Sequence, residues 1–235
     1  MTNLEKIKAA GVRHSGFVID SSFVIRASSF SSRAFTLIEL VVVVGLILIL
    51  TGLVLSTVGY ARKKGARARA ETEIAAMAAA CESYKSDYGI YPRDPTAGTA
   101  TDTLDARATG NPAMYQTANL VLYRALSGDR NLDRTVTALD ENFNIDGTAL
   151  TSPLAQLPQT YFAFKPNMLS PADQTQNVQY IRDPFGNSYG YSTANQYNPS
   201  TGYNPTFDLW STSGLTAPPP GNANDTITPQ WIKNW

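Results

Sequence analysis

Few residues in this chain are placed for chemistry, and the most informative of them is a carboxylate. The single histidine, His14, and the single cysteine, Cys81, stand far apart. No Ser/His/Asp set, phosphate-cradling glycine loop or metal-ligand cluster surrounds either. Cys81 falls on an apolar helical stripe, where a buried inert thiol is the ordinary outcome. An enzyme is not expected. Glu39, by contrast, is followed at 40–61 by 22 residues without a charge. An ionised carboxylate against such a run is costly unless a positive partner neutralises it. The chemistry it suits is ion pairing inside a dry helix bundle, and the plainer assignment is a boundary charge at a membrane surface. A second charged group, Arg62, Lys63, Lys64, Arg67 and Arg69, closes the run. It suits anionic headgroups, acidic side chains of a neighbour, or simply a solvated flank.

These groups are positioned by one long helix. At 1.5 Å per residue, 22 residues make about 33 Å, enough to cross a hydrocarbon core of about 30 Å. Gly45, Gly52 and Gly59 recur every seventh residue on roughly one face. That spacing admits close approach of another helix, though glycine is also simply frequent in membrane helices. Past the basic cluster, Ile74, Met77, Ala78, Cys81, Tyr84 and Tyr88 recur at steps of three and four and form one apolar stripe. The alanine-rich stretch 75–80 favours helix, and Gly89 and Pro92 end it. The helix from Phe35 to Tyr88 spans about 80 Å.

Charge is unevenly spread around this helix. Five basic residues precede it (Lys6, Lys8, Arg13, Arg26, Arg33) and five follow the apolar run, so the positive-inside rule does not orient the span. From Glu71 onward there are 9 basic and 16 acidic residues, a net −7. An acidic domain argues against nucleic acid as a partner. A removable secretory signal is the rival explanation of the N-terminus. It fails because the run exceeds the usual 7–15 residues and ends in Arg-Lys-Lys instead of a small-residue cleavage site.

The segment Arg33-Ala34-Phe35-Thr36-Leu37-Ile38-Glu39, with its basic leader and apolar run, resembles the class III signal of type IV pilins and type II secretion pseudopilins. In that family a prepilin peptidase cuts before the Phe on the cytoplasmic side and methylates the new amine. The resemblance implies cleavage between Ala34 and Phe35, with Ala34 standing where the family usually has Gly. It also implies that Glu39 sits near the N-terminal amine of a neighbouring subunit in a filament. A second match, Tyr84-Lys85 through Gly89-Ile90-Tyr91-Pro92, is similar to the signature that ends the long helix of major pseudopilins. A third is Asp183-Pro184-Phe185-Gly186-Asn187-Ser188-Tyr189 followed by Phe207-Asp208-Leu209-Trp210-Ser211. It resembles the elements that lead into and build that family's sheet, and Asn234-Trp235 resembles its ending. The likeness covers 33–92 closely and 180–235 fairly well, and is weak between them.

The expected organisation is a cleaved leader (1–34), a membrane or filament-core half-helix (35–61) and an amphipathic half-helix (62–92). A loop-rich variable region with a short helix at 118–126 follows (93–180), then an antiparallel sheet region (181–235). Residues 93–117 read as irregular surface, and Tyr161-Phe162-Ala163-Phe164 as a short strand. The fold class is α+β, a pilin-like fold. The resemblance implies a structural subunit of a type II secretion pseudopilus in the inner membrane, with a cytoplasmic leader and a periplasmic domain. Its partners would be copies of itself, minor pseudopilins, prepilin peptidase, the inner-membrane secretion platform and, before assembly, lipid. With Cys81 alone no intrachain disulfide exists, unlike many adhesive type IV pilins, which favours the pseudopilin branch.

Major pseudopilins resembling this chain hold Ca²⁺ after the Asp-Leu-x-Ser strand. The loop here keeps Asn222, Asn224 and Asp225 as oxygen donors. It lacks the family's early Asp and carries Pro218, Pro219 and Pro220, which stiffen it without an ion, so no cofactor is required. The alternatives are a type IV pilin for adhesion, motility or DNA uptake, and a membrane-anchored module holding a glycan on the aromatic stretch 189–210.

Overall fold

The computed structural model describes residues 35–215 and 228–235, a mixed α+β chain with one long apolar helix and two small antiparallel sheets. The long helix, α1, runs over Leu37–Tyr88. The described residues fall into two units that divide within α1, between Thr51 and Gly52. The first contributes the beginning of α1, on which Phe35, Leu37, Ile38 and every large apolar residue from Leu40 to Leu50 are exposed.

In the second unit α1 buries Ala70, Ile74, Met77, Ala80, Cys81 and Tyr84. This is the expected stripe with two changes. Ala78 is only partly buried at its edge. Tyr88 is 49% exposed and stacks on Tyr84, centroids 4.4 Å apart, because the helix is ending there. Gly89 adopts φ +76° and donates its N–H to Lys85 O at 2.8 Å, a left-handed cap that residues with a Cβ rarely adopt.

The stripe is covered by a three-stranded antiparallel sheet of β3 (Gly190–Ser192), β4 (Asp208–Ser211) and β5 (Ile232–Lys233), in that order. Strand alternation sends neighbouring residues to opposite faces. Tyr189, Tyr191, Leu209 and Ile232 join the core that holds Ile74, Met77 and Cys81. Trp210 joins a second cluster with Leu104, Ala106, Tyr115, Ala118 and Trp231. The stretch 93–117, expected as irregular surface, therefore supplies buried residues to that second cluster. It also carries a short helix α2 (Ala100–Thr103) and a 3₁₀ turn over Pro112–Tyr115.

Helix α3 (Gln116–Ser127) matches the expected short helix with a residue or two more at each end. Asn119, fully buried, ties it to the strands: its side-chain amide donates to Tyr189 O at 2.9 Å, and its Oδ1 accepts from the N–H of Ile181. A two-residue hairpin of β1 (Leu169–Ser170) and β2 (Tyr180–Ile181) lies in the region expected to be loop. The strand expected at Tyr161–Phe164 is absent. The N–H groups of Tyr161 and Phe162 both donate to Leu126 O, at 2.7 and 2.9 Å, near the C-terminal end of α3, and so make no ladder.

The Asp183 turn explains the first sheet motif. Asp183 Oδ1 accepts from the N–H groups of Phe185 and Asn187, Oδ2 accepts from Ser211 Oγ, and Gly186 takes φ +97°. Burial pushes this carboxyl above its usual range, against the opposing hydrogen bonds. Asp208 is similar, raised by burial while accepting the N–H groups of Tyr203 and Asn204.

Candidate functional site

The start of α1 shows why Thr36 precedes it. Thr36 O accepts the first helical bond, from Leu40 N, and Thr36 Oγ1 accepts from Glu39 N at 3.3 Å. Glu39 Oε2 in return accepts the Thr36 N–H and the Thr36 hydroxyl, both at 2.9 Å. This is a capping box, in which cap and third residue satisfy each other's orphan donors. The carboxylate also sits at the positive end of the helix dipole. Both of its bonds converge on Oε2, and no cation among the described residues pairs with it.

Phe35, Ile38, Glu39, Val42 and Val43 line a shallow groove of about 390 Å³. Their spacing puts them on one helical face. The face is apolar except for the carboxylate, and Phe35 is 81% exposed. It can receive an apolar helix that also brings a positive group. Expected Phe35 and Glu39 thus lie together on one surface, and Ala34 lies outside the described residues.

Thr36 is the partner of Glu39 at this helix start. Its signal is in the sequence: Thr-x-x-Glu immediately before an apolar run is a capping-box spacing.

Two hydroxyls of the apolar stretch are bonded within the helix itself. Ser56 Oγ donates to Leu53 O at 2.8 Å and Thr57 Oγ1 to Val54 O at 2.9 Å, so neither hydroxyl needs water. A Cβ at Gly45, Gly52 or Gly59 would meet nothing within 4 Å, so packing within this chain does not require these glycines. α1 is long and apolar enough to cross a membrane.

The basic cluster divides in two. Arg67 pairs with Glu71 at 3.2 Å and donates to Gln230 O at 2.7 Å, and Arg69 pairs with Glu73 at 2.6 Å. Arg62, Lys63 and Lys64 are exposed and make no ion pair among the described residues. Glu73 also accepts the Tyr189 hydroxyl at 2.7 Å, which joins α1 to the sheet.

Among the described residues no group of three or more His, Cys, Asp or Glu is placed to hold a metal ion. The expected calcium ligands Asn222, Asn224 and Asp225, and His14, lie outside the described residues. Cys81 is fully buried, and desolvation drives its thiol well above the ordinary range. In the stretch 189–210, Tyr189, Tyr191, Phe207 and Trp210 are core residues, while Tyr197 and Tyr203 are exposed at 54% and 36%.

Searched against protein-family models, curated proteins and solved structures, the chain finds no match.

Proposed function

We propose that this chain is a structural subunit of a type II secretion pseudopilus, with a pilin-like fold. In this reading it waits in the inner membrane on α1, loses its leader before Phe35, and polymerises through the exposed apolar part of that helix. The domain, anchored by the stripe from Ala70 to Tyr84, faces the periplasm. Filament growth then pushes exported proteins outward.

One observation carries the reading. α1 begins with a fully presented apolar surface bearing a single carboxylate next to Phe35, and later turns into a stripe that the domain covers. The exposed part lacks a cover within the described chain and is too extensive to face water. Lipid can cover it in the waiting subunit, and neighbouring helices can cover it in a filament. The carboxylate then meets the α-amine that cleavage creates on a neighbour. That encounter requires Glu39 to share or leave the Thr36 box.

The capping box provides the test. Glu39→Gln keeps an oxygen for the Thr36 N–H, since Gln serves in capping boxes, and removes the charge. Both Glu39→Gln and Glu39→Ala are expected to be cleaved and membrane-inserted normally but to be missing from sheared filaments. If Glu39→Gln assembles like the parent chain, local capping is the whole role of Glu39 and the filament reading of this residue fails.

A further inference from the structure

The apolar part of α1 ends in three consecutive cations that the fold leaves unused. Arg67 and Arg69, one to two turns later, are held by Glu71, Glu73 and Gln230 O. Arg62, Lys63 and Lys64 are exposed and unpaired among the described residues. Successive helical residues turn by about 100°, so the three side chains spread over about 200° of the circumference within about 3 Å of axial rise. A one-sided protein neighbour cannot face all three together. A charged layer pierced by the helix can.

What lies on either side fits such a layer. Tyr60, 71% exposed, stands two residues before Arg62, the first residue of this collar, where amphipathic rings favour the membrane interface. Ser56 and Thr57 below it have their hydroxyls bonded within the helix. Above it, the Arg67 bond to Gln230 O brings the folded domain to the helix about 4.5 Å after Lys64. The collar is therefore the last charged feature before the domain. From Glu71 onward the chain is net −7, so an anionic surface repels it, and the collar is the nearby positive charge that can offset that repulsion.

We propose that Arg62, Lys63 and Lys64 form a collar that binds the anionic headgroups of the membrane leaflet on the domain side, and so sets the depth of α1 in the bilayer. This rests on the reading of α1 as a membrane span. The flexible stems lie along the hydrocarbon boundary while the charged ends reach phosphates. Each cation near such a surface favours an anionic over a neutral lipid by about fivefold.

The test uses the full chain reconstituted into phosphatidylcholine vesicles carrying a trace of spin-labelled phosphatidylglycerol or spin-labelled phosphatidylcholine. The motionally restricted fraction reports which lipid the helix holds. Phosphatidylglycerol is expected to be favoured by about fivefold or more at low ionic strength. The preference should fall toward unity in 1 M NaCl, because screening shortens the reach of exposed charges. It should fall likewise in the triple variant R62Q/K63Q/K64Q. Equal association of both lipids with the parent chain overturns the collar. So does a preference that survives in the triple variant, which places it elsewhere in the chain. A salt-labile oligomer in pure phosphatidylcholine that the triple variant dissolves, without lipid preference, assigns the cations to a protein neighbour instead. Absence of any restricted lipid overturns the span itself along with the collar.

Discussion

Among the described glycines, Gly190 is the one where an added Cβ meets the closest contact. It pairs with Trp210 across β3 and β4, and a Cβ there would lie 2.1 Å from Cε2, 2.3 Å from Cζ2 and 2.5 Å from Cδ2 of that indole. Ordinary carbon contacts are about 3.5–4 Å, so the ring must retreat by about 1.5 Å. It has nowhere to go. Trp210 is fully buried, with Tyr115 at 5.0 Å, Trp235 at 5.9 Å and Trp231 at 6.5 Å between ring centroids. Overpacking costs about 1–3 kcal/mol, and a clash with an enclosed indole belongs at the upper end. For a unit of this size, about 3 kcal/mol lowers Tm by about 6–12 °C. The three tryptophans of the chain all lie in this cluster, so intrinsic fluorescence during heating reads it directly. Gly59→Ala is the control: its Cβ meets nothing within 4 Å, and Tm should stay within about 2 °C. Gly190→Ala combined with Trp210→Phe should recover part of the loss, because the smaller ring vacates the contested space. A Gly190→Ala chain that melts within about 2 °C of the parent would refute the close packing of Trp210 against β3.

Tyr189→Phe removes the hydroxyl that donates to Glu73 and leaves Glu73 with Arg69, so the expected loss is about 1–2 kcal/mol, read by urea unfolding. An unchanged midpoint would mean that this bond does not help join α1 to the sheet. Acid should not weaken the domain at first. Burial raises the carboxyls of Asp129, Asp183 and Asp208 above their ordinary value of 3.8. Their folded state thus binds protons more readily than the unfolded chain, and their contribution to stability grows as pH falls toward 3.8 and is lost as pH rises through the folded values. Asp133 and Asp173 are shifted the other way and lose their contribution only as pH falls below 3.8. Tm at pH 5 should equal or exceed Tm at pH 7, and a steady fall across that interval would contradict the assignment.

Local chemistry was the readable part of this chain. The spacing of Ile74, Met77, Cys81 and Tyr84 names the buried face of α1, and Gly89 ends the helix where a φ of +76° favours a glycine. Asp183 and Gly186 announce a turn whose N–H groups converge on one carboxylate. The second face of the sheet was not readable in the same way. Leu104, Ala106 and Tyr115 are buried because Trp210, about a hundred residues later, needs a cover, and nothing in the polar stretch around them shows that. β1 and β2 are two residues each, too short for an alternation to register. Tyr161-Phe162-Ala163-Phe164 has the composition of a strand, but its first donors are spent on Leu126 O. At the candidate site, Glu39 stood out by its charge, while its partner Thr36 was legible only as half of a capping box.

The proposal that this helix is built for assembly depends on where the mature chain begins. The direct measurement is the mass and fragmentation of the N-terminal peptide of the protein isolated from cells that contain a prepilin peptidase. The expected peptide starts at Phe35 with a methylated α-amine. A protein that keeps residues 1–34 under those conditions would be a membrane-anchored domain, and the assembly role proposed for Phe35 and Glu39 would be contradicted.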